Sequence, residues 1–393
     1  MISLLIPSTL VMTMISSTSG FSRAWSLTNA MMASTHVNEP DLMLSRSVSS
    51  GTELAMAECS RQFEHDVWNC PMTSFFVNKN RMENNKETAY IHAVVSAGVA
   101  HTISRNCSQG GLAQCGCQSL YGASGAENWA WGGCSDNLAF GEQVSRQFLD
   151  VDRASKKPVS LAHLHNNQAG RVAVRKTMRT LCKCHGVSGS CATQTCWRQL
   201  GDFQQVGDFL KKQYRQAAEV DLTNGKLKKV TKISKPVIEK RAEVEEEEDN
   251  SVNMMLVSPR LDTSSNSIKR GRRTAKKETE KIKKRKLVFS APSPDYCNMN
   301  PQLGFKGVKG RTCEVDPSAP DQTEQIRKCT NLCNTCGMHA RKQVVDVVSS
   351  CNCKFEWCCK ITCDTCRKKQ IRITCTNTPL PASVRFMDII QKH

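Results

Sequence analysis

No segment after the first twenty residues joins the length and apolarity of a membrane-crossing helix, so the folded product could reach a bilayer only at its surface or through an attached lipid. Nor is there a repeating four-ligand pattern of cysteine and histidine. Two-residue gaps at Cys333–Cys336 and Cys363–Cys366 suit a zinc knuckle. The adjacent pair Cys358–Cys359 and the Cys-x-Cys pairs at 115/117, 182/184 and 351/353 suit nested cross-links better, and no metal is expected. Cysteine itself is missing between Cys196 and Cys297. Within that gap, residues 225–290 hold few large apolar side chains and little from which to build a core.

Elsewhere cysteine abounds. Twenty-two in 393 residues, an even number, point to a disulfide framework formed in an oxidising compartment and argue against the cytosol. The opening residues fit that reading: Ile2 to Ile15 form a short apolar stretch followed by small residues, and residues 1–23 are expected to be a secretory signal. Pro7 interrupts the stretch and no Lys or Arg precedes it.

Two folded units are expected around the cysteine-free gap. The first, residues 24–224, reads as helical. Ile91, Val94, Val95 and Val99 recur at helical spacing, as do Phe140, Val144, Phe148 and Val151, with Asp136 and Asn137 placed to cap the second run. A third run extends from Asn167 through Val174, Met178 and Leu181; a fourth from Gly201 through Phe203, Val206, Leu210 and Tyr214 stops at Asn224-Gly225. The second unit, residues 291–393, carries twelve cysteines, and bridges must replace a large core there. The fold class expected is α+β and disulfide-rich: a helical N-terminal domain bearing a projecting hairpin, then a small cysteine-rich β-hairpin domain.

Net charge is +18, and half of it lies between Lys269 and Lys286, where eleven Lys or Arg face Glu278 and Glu280. A solvated, charged flexible linker over 225–290 is one reading of this run; attraction to a sulfated polysaccharide such as heparan sulfate is another. An intracellular zinc protein would use the same run on nucleic-acid phosphates, but the thiol pattern argues against nucleic acid as a partner. Arg270-Gly271-Arg272-Arg273 has the form of a convertase cleavage site.

The segment from Cys182 reads C-K-C-H-G-V-S-G-S-C and runs on to Cys196-Trp197. Pairing Cys184 with Cys191 and Cys182 with Cys196 would staple a hairpin whose tip, His185 to Ser190, presents Ser188 between Gly186 and Gly189. Gly186-Val187-Ser188-Gly189 begins the hydrolase elbow G-x-S-x-G, but Ser190 stands where the last glycine belongs, and no catalytic residue is expected. A serine in an ordinary tight turn is the plain alternative. In the C-terminal unit, spacing suggests the pairs 353–363 and 351–366 on a second hairpin tipped by Cys358-Cys359.

The whole string, with W-N-C-P from Trp68, R-N-C-S from Arg105, W-G-G-C-S-D-N from Trp131, H-N-N from His165 and S-C-N-C-K-F-E-W-C-C from Ser350, resembles the Wnt family of secreted lipid-modified signalling ligands. A-W-S from Ala24, Q-T-C-W from Gln194 and S-P-D-Y-C from Ser293 bring it nearest the eighth Wnt subfamily. The resemblance implies a palmitoleoyl group on Ser188, with Ser190 the alternative, added by the acyltransferase Porcupine and shielded by the carrier Wntless; no other cofactor is implied. It implies bridges 59–70, 107–115, 117–134, 297–336, 313–329, 333–375 and 358–359, and an N-glycan on Asn106. It implies a fingertip of Phe355, Trp357, Cys358 and Cys359 that docks, together with acylated Ser188, on the Frizzled cysteine-rich domain; Trp357 packing on its own hairpin is the alternative. A low-density-lipoprotein-receptor-related co-receptor, β-catenin signalling and residence in the extracellular space and matrix, by way of the endoplasmic reticulum, complete the expectation. The rival is a secreted cysteine-rich matrix protein that binds glycosaminoglycan without any lipid.

Overall fold

The computed structural model describes residues 39–72, 83–119, 129–150, 157–223, 226–230, 282–356 and 360–378. The expected signal, the tetrad 270–273, most of the basic run, and Trp357, Cys358 and Cys359 lie outside the described residues.

Helix α1 spans Glu39–Gln62, α2 Lys86–Ser108, α3 Leu138–Leu149, α4 Pro158–Thr177 and α5 Phe203–Arg215. Helix α2 is the hub: Ile91, Val94, Val95 and Val99 are all buried, and α1, α3, α4 and α5 pack around it. Asn85 caps it by accepting from the Thr88 amide at 2.9 Å. Small residues let the neighbours come close. A Cβ on Gly98 would lie 2.2 Å from the Gly51 carbonyl oxygen of α1, and one on Gly170 of α4 would lie 1.9 Å from the Ala93 oxygen of α2.

Helix α1 carries no clear apolar period because its buried positions include Ser45, Ser47, Ser49, Gly51 and Thr52. Helix α3 begins where expected, but only Asn137 caps it, accepting from Phe140 N at 3.1 Å. Asp136 instead accepts from Leu200 N at 2.7 Å. The third run ends as a helix at Thr177; Met178 is already extended (φ −61°, ψ 143°), and Leu181 belongs to a strand that the Cys182–Cys196 bond holds in place. The fourth ends at Arg215, short of Asn224-Gly225, because that dipeptide separates two paired strands, β4 (Ala218–Thr223) and β5 (Lys226–Lys229).

The segment read as a linker over 225–290 is folded at both ends. Strand β6 (Val288–Phe289) pairs in parallel with β4, and Leu287 and Val288 are fully buried. The H-N-N motif holds them. Asn166 donates to the Val288 carbonyl and accepts from its amide, each at 2.9 Å. His165 Nε2 lies 2.9 Å from the Lys286 carbonyl oxygen, and burial lowers the pKa of this ring. Asn167 donates to Asp150 at 2.9 Å, and Asp150 pairs with the buried guanidinium of Arg171, also at 2.9 Å. Asn166→Ala should leave both Val288 backbone groups unpaired in the interior and cost about 2–4 kcal/mol, seen as a lower denaturation midpoint and faster proteolysis around residue 288.

The C-terminal unit joins β7 (Thr312–Val315), helix α6 (Gln322–Thr335), β8 (His339–Glu356) and β9 (Lys360–Thr376) in a sheet of order β7-β9-β8. Val308, Val315, Leu332, Ile371 and Ile373 form its small core with four buried cysteines, Cys313, Cys329, Cys333 and Cys375. Among the described residues ten disulfides join Cys59–Cys70, Cys107–Cys115, Cys117–Cys134, Cys182–Cys196, Cys184–Cys191, Cys297–Cys336, Cys313–Cys329, Cys333–Cys375, Cys351–Cys366 and Cys353–Cys363. Five lie before residue 200 and five after 290; none of the ten crosses between the units. At the junction Arg311 donates to the carbonyls of Asp66 at 2.7 Å, Val67 at 3.0 Å and Glu64 at 2.5 Å.

Candidate functional site

Strands β2 (Arg179–Cys184) and β3 (Gln194–Gln199) pair antiparallel, from Arg179 opposite Gln199 to Cys184 opposite Gln194. Cys182 and Cys196 therefore face each other directly and are bonded, while Cys184 reaches past the strand end to Cys191. Strand β1 (Trp129–Trp131) flanks β3 in parallel. The register follows from side-chain alternation, which puts Cys182 and Cys184 on one face of β2.

Beyond the staples the backbone ties itself into a tight knob. His185 N donates to Thr193 O at 2.7 Å, Gly186 N to Ser190 O at 2.8 Å and Gly189 N to Gly186 O at 2.9 Å. A Cβ on Gly186 would sit 2.5 Å from the Ser190 carbonyl oxygen, a backbone atom that no rotamer change can move, so glycine lets the loop close there. Ser188 stands at the turn of this knob in the left-handed conformation (φ 58°, ψ 27°), and the adjacent Val187 is 90% exposed. Among the described residues no hydrogen bond joins Ser188 to His185 or to any acid, so the triad logic of a hydrolase is not assembled around it. What the geometry offers is a hydroxyl held outward on a rigid, doubly stapled support. Ser190 is tied back through both its amide and its carbonyl.

The second hairpin is longer. Strands β8 and β9 pair from His339 opposite Thr376 to Glu356 opposite Lys360, with a register shift between Cys351 and Lys354 where Asn352 takes φ 47°. The bonds Cys351–Cys366 and Cys353–Cys363 cross the hairpin just below its end. Phe355 is 71% exposed, and directly across from it is Ile361, 66% exposed. Two large apolar side chains thus sit side by side in water near the end of a bridged ribbon. Ile361 escaped the reading of the sequence, although counting two residues inward from each member of the Cys353–Cys363 pair would have placed it opposite Phe355.

Asn106 lies in the last turn of α2, half-buried, and its Nδ2 donates to Ser47 Oγ at 2.8 Å. The Cys107–Cys115 bond follows at once. No helix among the described residues is long and apolar enough to cross a membrane.

The model of the Wnt family matches residues 27–376 of this chain, an interval that holds both hairpins and every described disulfide. The chain belongs to the Wnt family. It is similar to mouse Wnt-8b, at 39% identity over 92% of this chain and 91% of the relative, and to human Wnt-8a, at 37% over 91% of each. Chicken Wnt-8c is 38% identical over 88% of this chain and 86% of its own length. Among solved structures, a chain of human WLS in complex with WNT8A matches with a TM-score of 0.57 and 34% identity, covering 86% of this Wnt chain and 96% of that one.

Proposed function

We infer that this Wnt chain is a secreted signalling ligand that engages Frizzled receptors through two appendages, an acylated Ser188 knob and the Phe355 fingertip, and so activates β-catenin signalling in cell-fate decisions. The observation that carries this is the knob itself: a serine hydroxyl in a left-handed turn, stapled by two disulfides and aimed into solvent. Such a hydroxyl can enter the site of a membrane acyltransferase of the Porcupine type, and the chain it receives can later enter a receptor groove. A buried serine could do neither. The likeness to a Wnt solved together with WLS supports Wntless as the carrier that shields the acyl chain during secretion. The fingertip supplies the second grip, in which exposed apolar side chains on a bridged ribbon act as a preformed anchor. A low-density-lipoprotein-receptor-related co-receptor would meet a further face.

Mass spectrometry of the secreted protein, digested without reductant, tests the reading. A palmitoleoyl mass on the peptide bearing His185–Ser190, and retention of the protein by an isolated Frizzled cysteine-rich domain, are expected; an unmodified peptide on receptor-competent protein would sink the acylated-ligand reading and favour the lipid-free matrix protein. The same peptide map would report the glycan on Asn106 and a bond between Cys358 and Cys359.

Phe355→Ala separates recognition from stability. Its side chain is already in water, so the melting temperature should stay put, whereas binding to the cysteine-rich domain should weaken by roughly tenfold or more, in the range of a truncated hot-spot residue. Equal binding by both proteins in a titration would remove Phe355 from the contact.

A further inference from the structure

Where the turn after α1 meets α5, the start of the C-terminal unit and α6 lies a cavity of about 340 Å³. Trp68, Tyr214 and Tyr296 line it with aromatic surface, and Asp66 and Glu87 with carboxylates; no lysine or arginine does. Asn331 and Thr335 of α6, both exposed, complete one side.

The rings are fixed by their own packing. Trp68 and Tyr214 each meet Phe63 edge-on, with centroids 4.7 and 4.9 Å away. Tyr296 lies 6.4 Å from Trp68 and 5.2 Å from Phe305. This cluster already holds one cation of the chain itself: Lys211 Nζ is 3.3 Å from the centroid of Phe63 and 2.5 Å from the Asp66 carboxylate.

Glu87 has no such answer. The buried acids Glu58, Glu142 and Asp150 each pair with an arginine, whereas Glu87, equally buried, accepts only from hydroxyls among the described residues. Tyr214 donates to it at 2.7 Å and Ser293 at 2.8 and 3.0 Å. It stands in the first turn of α2, where the helix amides favour a negative charge. With Asp66 matched by Lys211, the cavity keeps one negative charge, which repels anions and leaves a neutral apolar guest poorly suited.

The kind of cation follows from the acceptors already taken. Both Glu87 oxygens are engaged, and the carbonyls of Glu64, Asp66 and Val67 receive Arg311. A guanidinium or primary ammonium would bring N–H groups with few places to donate, and each one left unmade is costly. A trimethylammonium group has no N–H to satisfy and spreads its charge over methyls that pack on aromatic rings.

We propose that this junction cavity binds a trimethylammonium cation of the choline type, with Trp68, Tyr214 and Tyr296 around the methyl groups and Glu87 answering the charge. The site needs neither hairpin and stands apart from the receptor reading above.

The test is a titration of the secreted full-length protein, followed by saturation-transfer NMR, with four probes: choline, its neutral carbon isostere bearing a tert-butyl group, n-butylammonium and arginine. Choline should bind at least about tenfold tighter than each of the other three. Asn331→Arg, at an exposed position, brings a guanidinium to the cavity and should weaken choline by about tenfold while leaving the melting temperature unchanged. Equal binding of the isostere, unchanged binding by the Asn331→Arg protein, or tighter binding of butylammonium or arginine overturns the proposal; the last would assign the cavity to a side chain of a protein partner. Vesicles of phosphatidylcholine, offered to the Ser188→Asn protein so that no acyl chain intervenes, separate the sources of the group. Retention that choline displaces identifies a lipid headgroup, choline binding without retention identifies a free choline compound, and absence of both sinks the site.

Discussion

Ser188→Ala is expected to yield a chain with its disulfides intact, no acyl mass, and a Frizzled-dependent response lowered by about a hundredfold or more. The size follows from the chain it forfeits. Ten buried methylenes at ~0.8 kcal/mol each amount to a gross ~8 kcal/mol, and if only a third survives the costs of association the loss is still about a hundredfold. Folding should be spared, because the knob is closed by backbone hydrogen bonds and two bridges rather than by the serine side chain. Alanine sits less easily at φ 58° than asparagine does, so Ser188→Asn is the sharper control for the knob's shape. It should be equally silent. Ser190→Ala, by contrast, should keep the acyl group. A response from Ser188→Asn near that of the unsubstituted protein would show that the lipid is dispensable.

The second large effect lies far from either hairpin. Gly170→Val should collapse the yield of folded, secreted protein, because the new Cβ would fall 1.9 Å from the Ala93 carbonyl oxygen and drive α4 off α2. Overpacking at a backbone-to-backbone contact cannot be relieved by a rotamer change, and a cost of ~3 kcal/mol or more is expected. Gly116→Val, where a Cβ meets nothing within 4 Å, is the matched control and should shift stability by less than about 0.5 kcal/mol. The check is the denaturation midpoint of whatever protein is recovered. Comparable midpoints for the two variants would mean that the helices can slide apart at little cost.

How much of this could be read in advance varied with the kind of signal. Alternating cysteines put Cys182 opposite Cys196 from spacing alone, since two cysteines on one strand face and two on the returning chain leave one nested solution. The six cysteines Cys297, Cys313, Cys329, Cys333, Cys336 and Cys375 allow fifteen connectivities, and there the family likeness supplied what spacing could not. Helices with branched apolar stripes, such as α2, were legible. Helix α1 was not, because a face made of Ser47, Gly51 and Ala55 buries little apolar surface and packs by closeness instead. Leu181 continued an apolar period by accident into a strand, where a disulfide overrode it. The anchored end of the basic segment was the largest surprise: charge composition says solvent, but two apolar residues, Leu287 and Val288, with three polar tethers from Asn166 and His165 are enough to fold nine residues, 282–290, onto the body. Composition averages over a window; anchoring needs only a few residues of it.

Because every described bridge stays within its own half of the chain, with no pair more than 42 residues apart, a nascent chain entering an oxidising lumen meets each partner soon after the first cysteine has emerged. The N-terminal half can complete its five described bonds while the basic segment is still being translated, and the C-terminal half can begin its own without reopening any of them. Oxidation can thus run vectorially, and the assembled halves are joined at the Arg311 guanidinium and its three carbonyls, a latch that closes by hydrogen bonds and needs no thiol chemistry to engage.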